Sequence, residues 1–266
     1  MNLTSITQTE YSNVEEKKIV STHKETSKYQ SKVLEVYKEF LAIHRADKDI
    51  QPLLKNLQKY IGTTNTSMYS QEDITTFCLQ LINFEEDESF FISGLFLSQL
   101  VNDHYERTHE EKEYILVTNH LQEKMSYLCR KNNGANIRVK GSAASYFADE
   151  MKEGIIILEG DCEHELGMHM KGGLVHVLGN CTVGCGQQLS SGYILVFGNA
   201  GDCVGANMKG GIVEVKGHVG TDIGINMRGG LLKFHEDITG KISHTITRDP
   251  TYFPDIQIQV NEERIV

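Results

Sequence analysis

The feature that most limits how this chain can fold is a 19-residue repeat in its second half. Six units begin at residues 136, 155, 174, 193, 212 and 231. Positions 2 and 4 of each unit are apolar in every copy, whereas position 3 varies. This alternation is typical of a strand with one buried face. A repeat of this length indicates a solenoid, in which each unit buries its apolar face against its neighbours.

Glycine recurs at fixed positions of the unit and predicts where the chain turns. Glycine is suited to corners because it adopts positive φ and permits close backbone approach. The predicted corner residues are Gly141, Gly160, Gly167, Gly179, Gly186, Gly198, Gly201, Gly205, Gly217, Gly220 and Gly224. Repeated Gly-Gly pairs and β-branched runs argue against a helical hairpin repeat. We therefore predict a right-handed parallel β-helix of about six coils over residues 134–249.

The first half has a different character, since only Gly62 and Gly94 of the 24 glycines precede residue 134. Its apolar spacing predicts an α-helical domain over 1–133, with 1–14 disordered. The predicted helices cover residues 14–43, 52–60, 70–82, 89–105 and 112–130. This domain is expected to cover one end of the stack. The tail at 250–266 is predicted to cap the other end, because apolar residues alternate in it.

The balance of charge disfavours two classes of partner. The formal net charge is -10, and residues 1–133 carry 15 basic and 20 acidic side chains, about half of that excess. Neither half is suited to neutralising phosphates, so nucleic acid and anionic membranes are not expected as partners.

No apolar stretch approaches the roughly 20 residues of a membrane span. The polar N-terminus has no signal-peptide core, which predicts a cytoplasmic protein with free thiols.

Two of the units carry a more specific motif. Residues 198–205 and 217–224 read G-x-x-G-x-x-x-G, and their units end in N-M-K-G-G and N-M-R-G-G. These motifs resemble the GXGXG-motif β-helix family, which includes the C-terminal domain of the glutamate synthase large chain and one of the subunits of formylmethanofuran dehydrogenase. The resemblance covers about 134–249, and Ala144, Glu163 and Thr182 replace the middle glycine. It implies a structural domain that braces catalytic parts located elsewhere in an oxidoreductase.

Several side chains in the repeat could carry chemistry. Cys162, Cys181 and Cys185 occupy positions that are otherwise apolar, so we interpret them as core residues. A redox pair of Cys162 and Cys181, or a metal site, is the alternative. His164 and His169 occupy different positions of one unit, and His176 lies in the next, so they are not expected to converge on a metal. No metal or cofactor is predicted.

Three neighbouring positions form rows along the stack. Position 16 is rich in methionine and is predicted to be core. Position 15 is a polar ladder, which is either a solvated row or a ligand groove; its members are Glu150, His169, Gln188, Asn207, Asn226 and Thr245. Position 17 carries four cations, which we call the position-17 row: Lys152, Lys171, Lys209 and Arg228. This row is either a partner-docking stripe or a solvated edge that prevents aggregation.

The sequence favours a non-catalytic function. It contains neither a G-x-S-x-G nucleophile elbow nor a G-x-x-x-x-G-K-[ST] phosphate loop, and Met1 is followed by Asn2 rather than a cysteine nucleophile. We predict a scaffold or protein-interaction protein that binds a protein partner or forms a homo-oligomer. The alternative is an accessory structural subunit of a multi-subunit oxidoreductase or amidotransferase.

Overall fold

A computed structural model describes residues 32–44, 50–63, 69–85, 90–238, 241–247 and 256–265. The helices are α1 (Lys32–His44), α2 (Ile50–Thr63), α3 (Gln71–Gln80) and α4 (Phe91–Thr108), with a 3-10 helix at Leu81–Phe84 and a short α5 (His244–Thr247) near the C-terminus. None of the described helices is long and apolar enough to cross a membrane. The prediction of disorder at 1–14 and the first part of the helix predicted from residue 14 lie outside the described residues.

The four N-terminal helices share a core of aromatic rings. Tyr37 of α1 contacts Phe77 of α3 and Phe96 of α4, with ring centroids 5.1 Å and 5.0 Å away. The Tyr37 hydroxyl lies 2.6 Å from the Ser93 hydroxyl, so its polar atom is partnered inside the core. Ser70 caps the N-terminus of α3, and its side chain forms the predicted capping box with Asp73. The predicted helices therefore exist as far as residue 108.

The second half is a parallel β-solenoid, as the repeat predicts. Nine strands form one sheet in chain order, parallel from β1 to β8 and antiparallel between β8 and β9. Their bounds are β1 Tyr114–Val117, β2 Asn133–Lys140, β3 Glu153–Leu158, β4 Leu174–Val177, β5 Tyr193–Val196, β6 Ile212–Val215, β7 Gly230–Phe234, β8 Ile256–Val260 and β9 Glu263–Arg264.

The register places equivalent positions of successive units side by side. Val175 of β4 is paired with Ile194 of β5, and Ile194 with Val213 of β6, each 19 residues further along the chain. All three residues are fully buried. The alternate residues of the strands therefore fill the solenoid core, and the others lie on its outer face.

The solenoid begins earlier than the sequence predicts. The helix predicted over 112–130 is wrong, because β1 is a strand that pairs with β2. The predicted boundary at residue 133 therefore leaves one whole coil of the solenoid inside the helical domain. In this coil Tyr114 is paired with Ile137, 23 residues later, whereas Tyr127 stacks on Tyr146, 19 residues later. Four additional residues between strand and corner break the period.

Helices α3 and α4 cover this first coil, as predicted. Thr75 of α3 donates a hydrogen bond to the Ile115 carbonyl at 3.0 Å. Gly94 of α4 lies so close to Ser126 that a Cβ would overlap the Ser126 carbonyl oxygen. Asn102 of α4 donates to the Arg130 carbonyl at 3.0 Å. The helices thus shield the N-terminal end of the stack from pairing with another chain.

The tail covers the other end, also as predicted. Strand β8 pairs in parallel with β7, and Ile256 and Ile258 are buried. The chain then reverses into β9, a two-residue strand of charged side chains. A short charged edge strand is a poor template for further pairing, so the sheet ends there. The remainder of the predicted tail lies outside the described residues.

The corner glycines serve two different needs. Gly205, at position 13, has φ of +70°, a left-handed conformation that side chains disfavour. Gly179, at position 6, has no such φ, but a Cβ there would lie 2.7 Å from the Gly160 carbonyl oxygen of the preceding coil. Position 13 therefore requires glycine for its backbone conformation, and position 6 requires it for close stacking of coils.

Candidate interaction surfaces

The position-17 row lies on the solvent side of the stack. Lys152, Lys171, Lys209 and Arg228 are all exposed. The Lys171 Nζ lies 3.8 Å from Glu150 Oε2, a distant ion pair. Within the described part of the chain, Lys152, Lys209 and Arg228 have no carboxylate within 4.0 Å. Since neighbouring coils are about 4.8 Å apart, Lys152 is next to Lys171 and Lys209 is next to Arg228, and Ser190 separates the two pairs.

The polar ladder at position 15 has a conformational explanation. Glu150, His169, Gln188, Asn207 and Asn226 all have φ between 54° and 57°. Asparagine tolerates the left-handed region better than most residues, because its short polar side chain bonds locally to the backbone. Position 15 is therefore a corner in these five units, and the corner conformation accounts for its asparagines without a ligand. Thr245 of the sixth unit lies in α5 instead.

A second polar ladder, at position 7, was not predicted from the sequence. The Asp161 Oδ1 accepts a hydrogen bond from the Asn180 backbone N–H at 2.7 Å, and the Asn180 Oδ1 accepts one from the Asn199 N–H at 2.9 Å. The Asn199 Oδ1 accepts from the His218 N–H at 2.8 Å. The recurrence of Asp or Asn directly after the position-6 glycine was the available signal. These side chains hold successive coils together at that corner.

The three repeat cysteines lie in the core. Cys162, Cys181 and Cys185 have exposed fractions of 1%, 4% and 0%. Burial raises the pKa of the Cys162 thiol. The pKa of the Cys185 thiol is raised mainly by a hydrogen bond with Cys181 and, to a smaller extent, by burial. Because the thiolate is the reactive and metal-binding form, Cys162 and Cys185 are poorly placed for either chemistry. The core interpretation of their position is confirmed.

The repeat histidines lie apart and have separate partners. His164 Nδ1 is 2.9 Å from the Thr182 hydroxyl, and His169 Nδ1 is 3.2 Å from Asp149 Oδ1. No group of three or more metal-ligating side chains is found within the residues that the structure describes. His164 and His169 therefore have different surroundings on the coil.

A second surface, unrecognised in the sequence, lies on the outside of the sheet. We define the outer sheet face as the side chains at positions 1, 3 and 5 of the six coils. Its centre is apolar: Phe197 and Ile155 are 43% and 42% exposed, and Leu195, two residues before Phe197, is 8% exposed. The ring of His176 packs edge-on against Tyr193 and Phe197, at 6.4 Å and 6.2 Å between centroids. Burial lowers the pKa of His176, which favours its neutral form.

At one rim of this face, a buried carboxylate is surrounded by hydrogen-bond donors. Glu214 is 5% exposed and accepts hydrogen bonds from the Tyr193 hydroxyl at 2.6 Å and from Lys216. His235 Nε2 lies 2.9 Å and Lys233 Nζ 3.4 Å from its oxygens. Burial opposes ionisation of Glu214, but the hydrogen bonds of Lys216, Tyr193 and His235 outweigh it and lower the pKa to about 2. Glu214 is therefore ionised at neutral pH, and its hydrogen bonds and ion pairs order this rim.

The opposite rim is also charged. Arg138 of β2 lies on the outer sheet face, with its Nε 3.0 Å from Glu113 and an Nη 3.6 Å from Glu159. Apart from Glu159 and His176, the face is thus apolar in coils 2 to 4, and ion pairs border it at both ends. In units 2 to 4 the strands are apolar on both sides rather than alternating, which was the sequence signal for this surface.

Comparison of the chain with protein-family models and with curated proteins finds no match. The resemblance to the GXGXG-motif family consequently stays a prediction from the motifs at 198–205 and 217–224.

Proposed function

We propose that this chain is a non-catalytic scaffold that docks an acidic protein partner along the position-17 row. The observation that carries the proposal is the line of exposed cations on a chain whose formal net charge is -10. Like charges about 4.8 Å apart repel one another, and salt screens them only partly at that distance. An acidic surface relieves that repulsion, so it would be attracted to this row in particular.

The rest of the solenoid supports a structural role. The repeated buried positions are occupied by packing residues, among them the cysteines at positions 8 and 12. The polar ladders at positions 7 and 15 are accounted for by hydrogen bonds between coils and by corner conformation. These residues have structural explanations that require neither substrate nor cofactor. An accessory role in an oxidoreductase or amidotransferase is the second candidate, and it depends on the motif resemblance alone.

The test is quantitative affinity capture with the full chain from an extract of its source cells at low salt. Lys171→Glu with Lys209→Glu is expected to reduce recovery of a wild-type partner by about 10-fold or more, because charge reversal slows encounter. Lys55→Glu with Lys112→Glu is the matched control, since both lysines are exposed and lie away from the row. Equal recovery with the two double variants would contradict the docking role.

The identity of the captured protein separates the two candidates. Stoichiometric recovery of flavin, iron–sulfur or glutaminase-type subunits would favour the accessory role. Recovery of an acidic protein without those activities would favour the free-standing scaffold.

A further inference from the structure

The outer sheet face has the composition of a protein interface. Its centre combines aromatic and aliphatic side chains, including Tyr193, Phe197 and Ile155, and its two ends are charged. Specific interfaces have this arrangement, with an apolar core that excludes water and a polar rim. Large side chains such as Phe197 are seldom left 43% exposed beside other apolar residues without a partner. We propose that the outer sheet face binds the same face of a second copy of this chain.

The size of the face is compatible with a reversible dimer. Strands β2 to β7 span six coils, which at about 4.8 Å each gives a height of roughly 29 Å. Five positions at about 3.3 Å give a width of about 16 Å, and hence a projected area of roughly 450 Å². Small specific interfaces bury up to about 600 Å² on each partner. The projected area lies within that range, so we expect a reversible dimer of moderate affinity.

The charges on the face favour a second copy over a strongly charged partner. Its six coils carry four basic side chains and two acidic ones: Arg138, Lys140, Lys216, Lys233, Glu159 and Glu214. The chain as a whole is strongly acidic, so this face lacks the negative excess that repels two copies elsewhere. At both rims opposite charges are paired within one copy, Arg138 with Glu159 and Lys233 with Glu214, so neither rim carries a strong unpaired charge that would exclude an identical face.

The flat form of the face also suits self-association. Each strand from β3 to β7 contributes the same few positions in constant register, so the surface has little relief along the stack. Two such faces can pack as sheets do inside a protein, about 10 Å apart. The position-17 row lies at a different corner of the coil, so this interface and the docking role proposed above can fail independently.

The test is sedimentation equilibrium of the full chain from about 5 to about 200 µM, the range in which a moderate dimer dissociates. The wild type is expected to convert from monomer to dimer across it. Ile155→Glu with Phe197→Glu should raise the dimer dissociation constant at least about 30-fold, because each buries a charge at the apolar centre. Circular dichroism and thermal melting check that the double variant remains folded.

Val183→Glu is the matched control. Val183 is 41% exposed, like Ile155 and Phe197, but it lies at position 10, away from the outer sheet face. Its dissociation constant should equal that of the wild type. A wild type that remains monomeric throughout the range overturns the proposal. A dimer that survives Ile155→Glu with Phe197→Glu, or that is lost equally in Val183→Glu, also overturns it.

Discussion

The helical segment and the solenoid both bury apolar side chains, but their packing is specified in different ways. In the helical segment Phe96 contacts Tyr37, Phe40 and Phe77, which come from two other helices. In the solenoid Ile194 is stacked between Val175 and Val213, its own equivalents in the adjoining coils. In the solenoid, the surroundings of a buried side chain therefore follow from its position in the repeat. In the helices, they follow from tertiary contacts that occur only once. Substitutions in the two regions should differ accordingly.

The largest effect is expected in the aromatic core of the helices. Phe96→Ala should lower the free energy of unfolding by about 3–5 kcal/mol, because the ring is fully buried and its removal leaves a cavity. Urea unfolding followed by circular dichroism measures the change. Ile82→Ala, at a side chain 48% exposed, is the control and should have little effect. A loss below about 1 kcal/mol in Phe96→Ala would show that the helices tolerate cavities better than a packed core does.

A smaller effect is expected at the solenoid corner. Gly205→Val should cost about 2–3 kcal/mol, because a β-branched residue is strained at φ of +70° and its Cβ would lie 2.8 Å from Leu232 Cδ2. Gly224→Val should behave alike, since its φ is +68°. Gly205→Ala should cost only about 1 kcal/mol, because Ala148 adopts φ of 58° at the same position of another coil. If the valine and alanine variants melt at the same temperature, the corner conformation does not limit stability.

The smallest effect is expected at the rim of the outer sheet face. Glu214→Gln should destabilise the chain by about 1–2 kcal/mol at pH 7, because the charge that accepts from Lys216 and His235 is lost. The pKa of Glu214 is lowered from 4.5 to about 2, so protons bind preferentially to the unfolded chain between those values. Its stabilisation is therefore complete above about pH 5 and is lost as the pH falls toward 2.

Urea unfolding at pH 7 and near pH 3 tests this pH dependence. The difference between wild type and Glu214→Gln should shrink at the lower pH. Glu111→Gln, at an exposed residue, is the control and should match the wild type at both. A difference that stays constant with pH would mean that Glu214 contributes through packing and not through its charge.

The fold was predictable where the period held and not where it failed. The six units from 136 were placed correctly because each strand pairs with the residue 19 positions later. The coil at 114–131 was mistaken for a helix because four additional residues separate its strand from its corner. It also lacks the glycine signal, since Cys129 and Lys131 adopt φ of 62° and 56° there without being glycine. Apolar residues at Leu121, Met125 and Leu128 then imitate helical spacing.

The candidate surfaces were only partly predictable. The position-17 row could be read directly, because four cations recur at one position and exposed corners accept charge. The outer sheet face was missed because positions 3 and 5 vary between apolar and charged residues from unit to unit, and because apolar residues on both sides of a strand do not show which side is covered. Which of those sides is covered depends on where other parts of the chain lie. The structure leaves Ile155 and Phe197 uncovered, at 42% and 43% exposure.

The amino-acid pattern alone was enough to specify the solenoid, its register and the buried or exposed state of most repeat positions. It was enough because each coil contacts only its neighbours, so the same position always has the same surroundings. Tertiary contacts were needed to set how the aromatic rings of Tyr37, Phe77 and Phe96 meet, and how helices α3 and α4 cover the first coil. Those contacts join residues far apart in a part of the chain without a repeat, where local pattern carries no information about which surfaces come together.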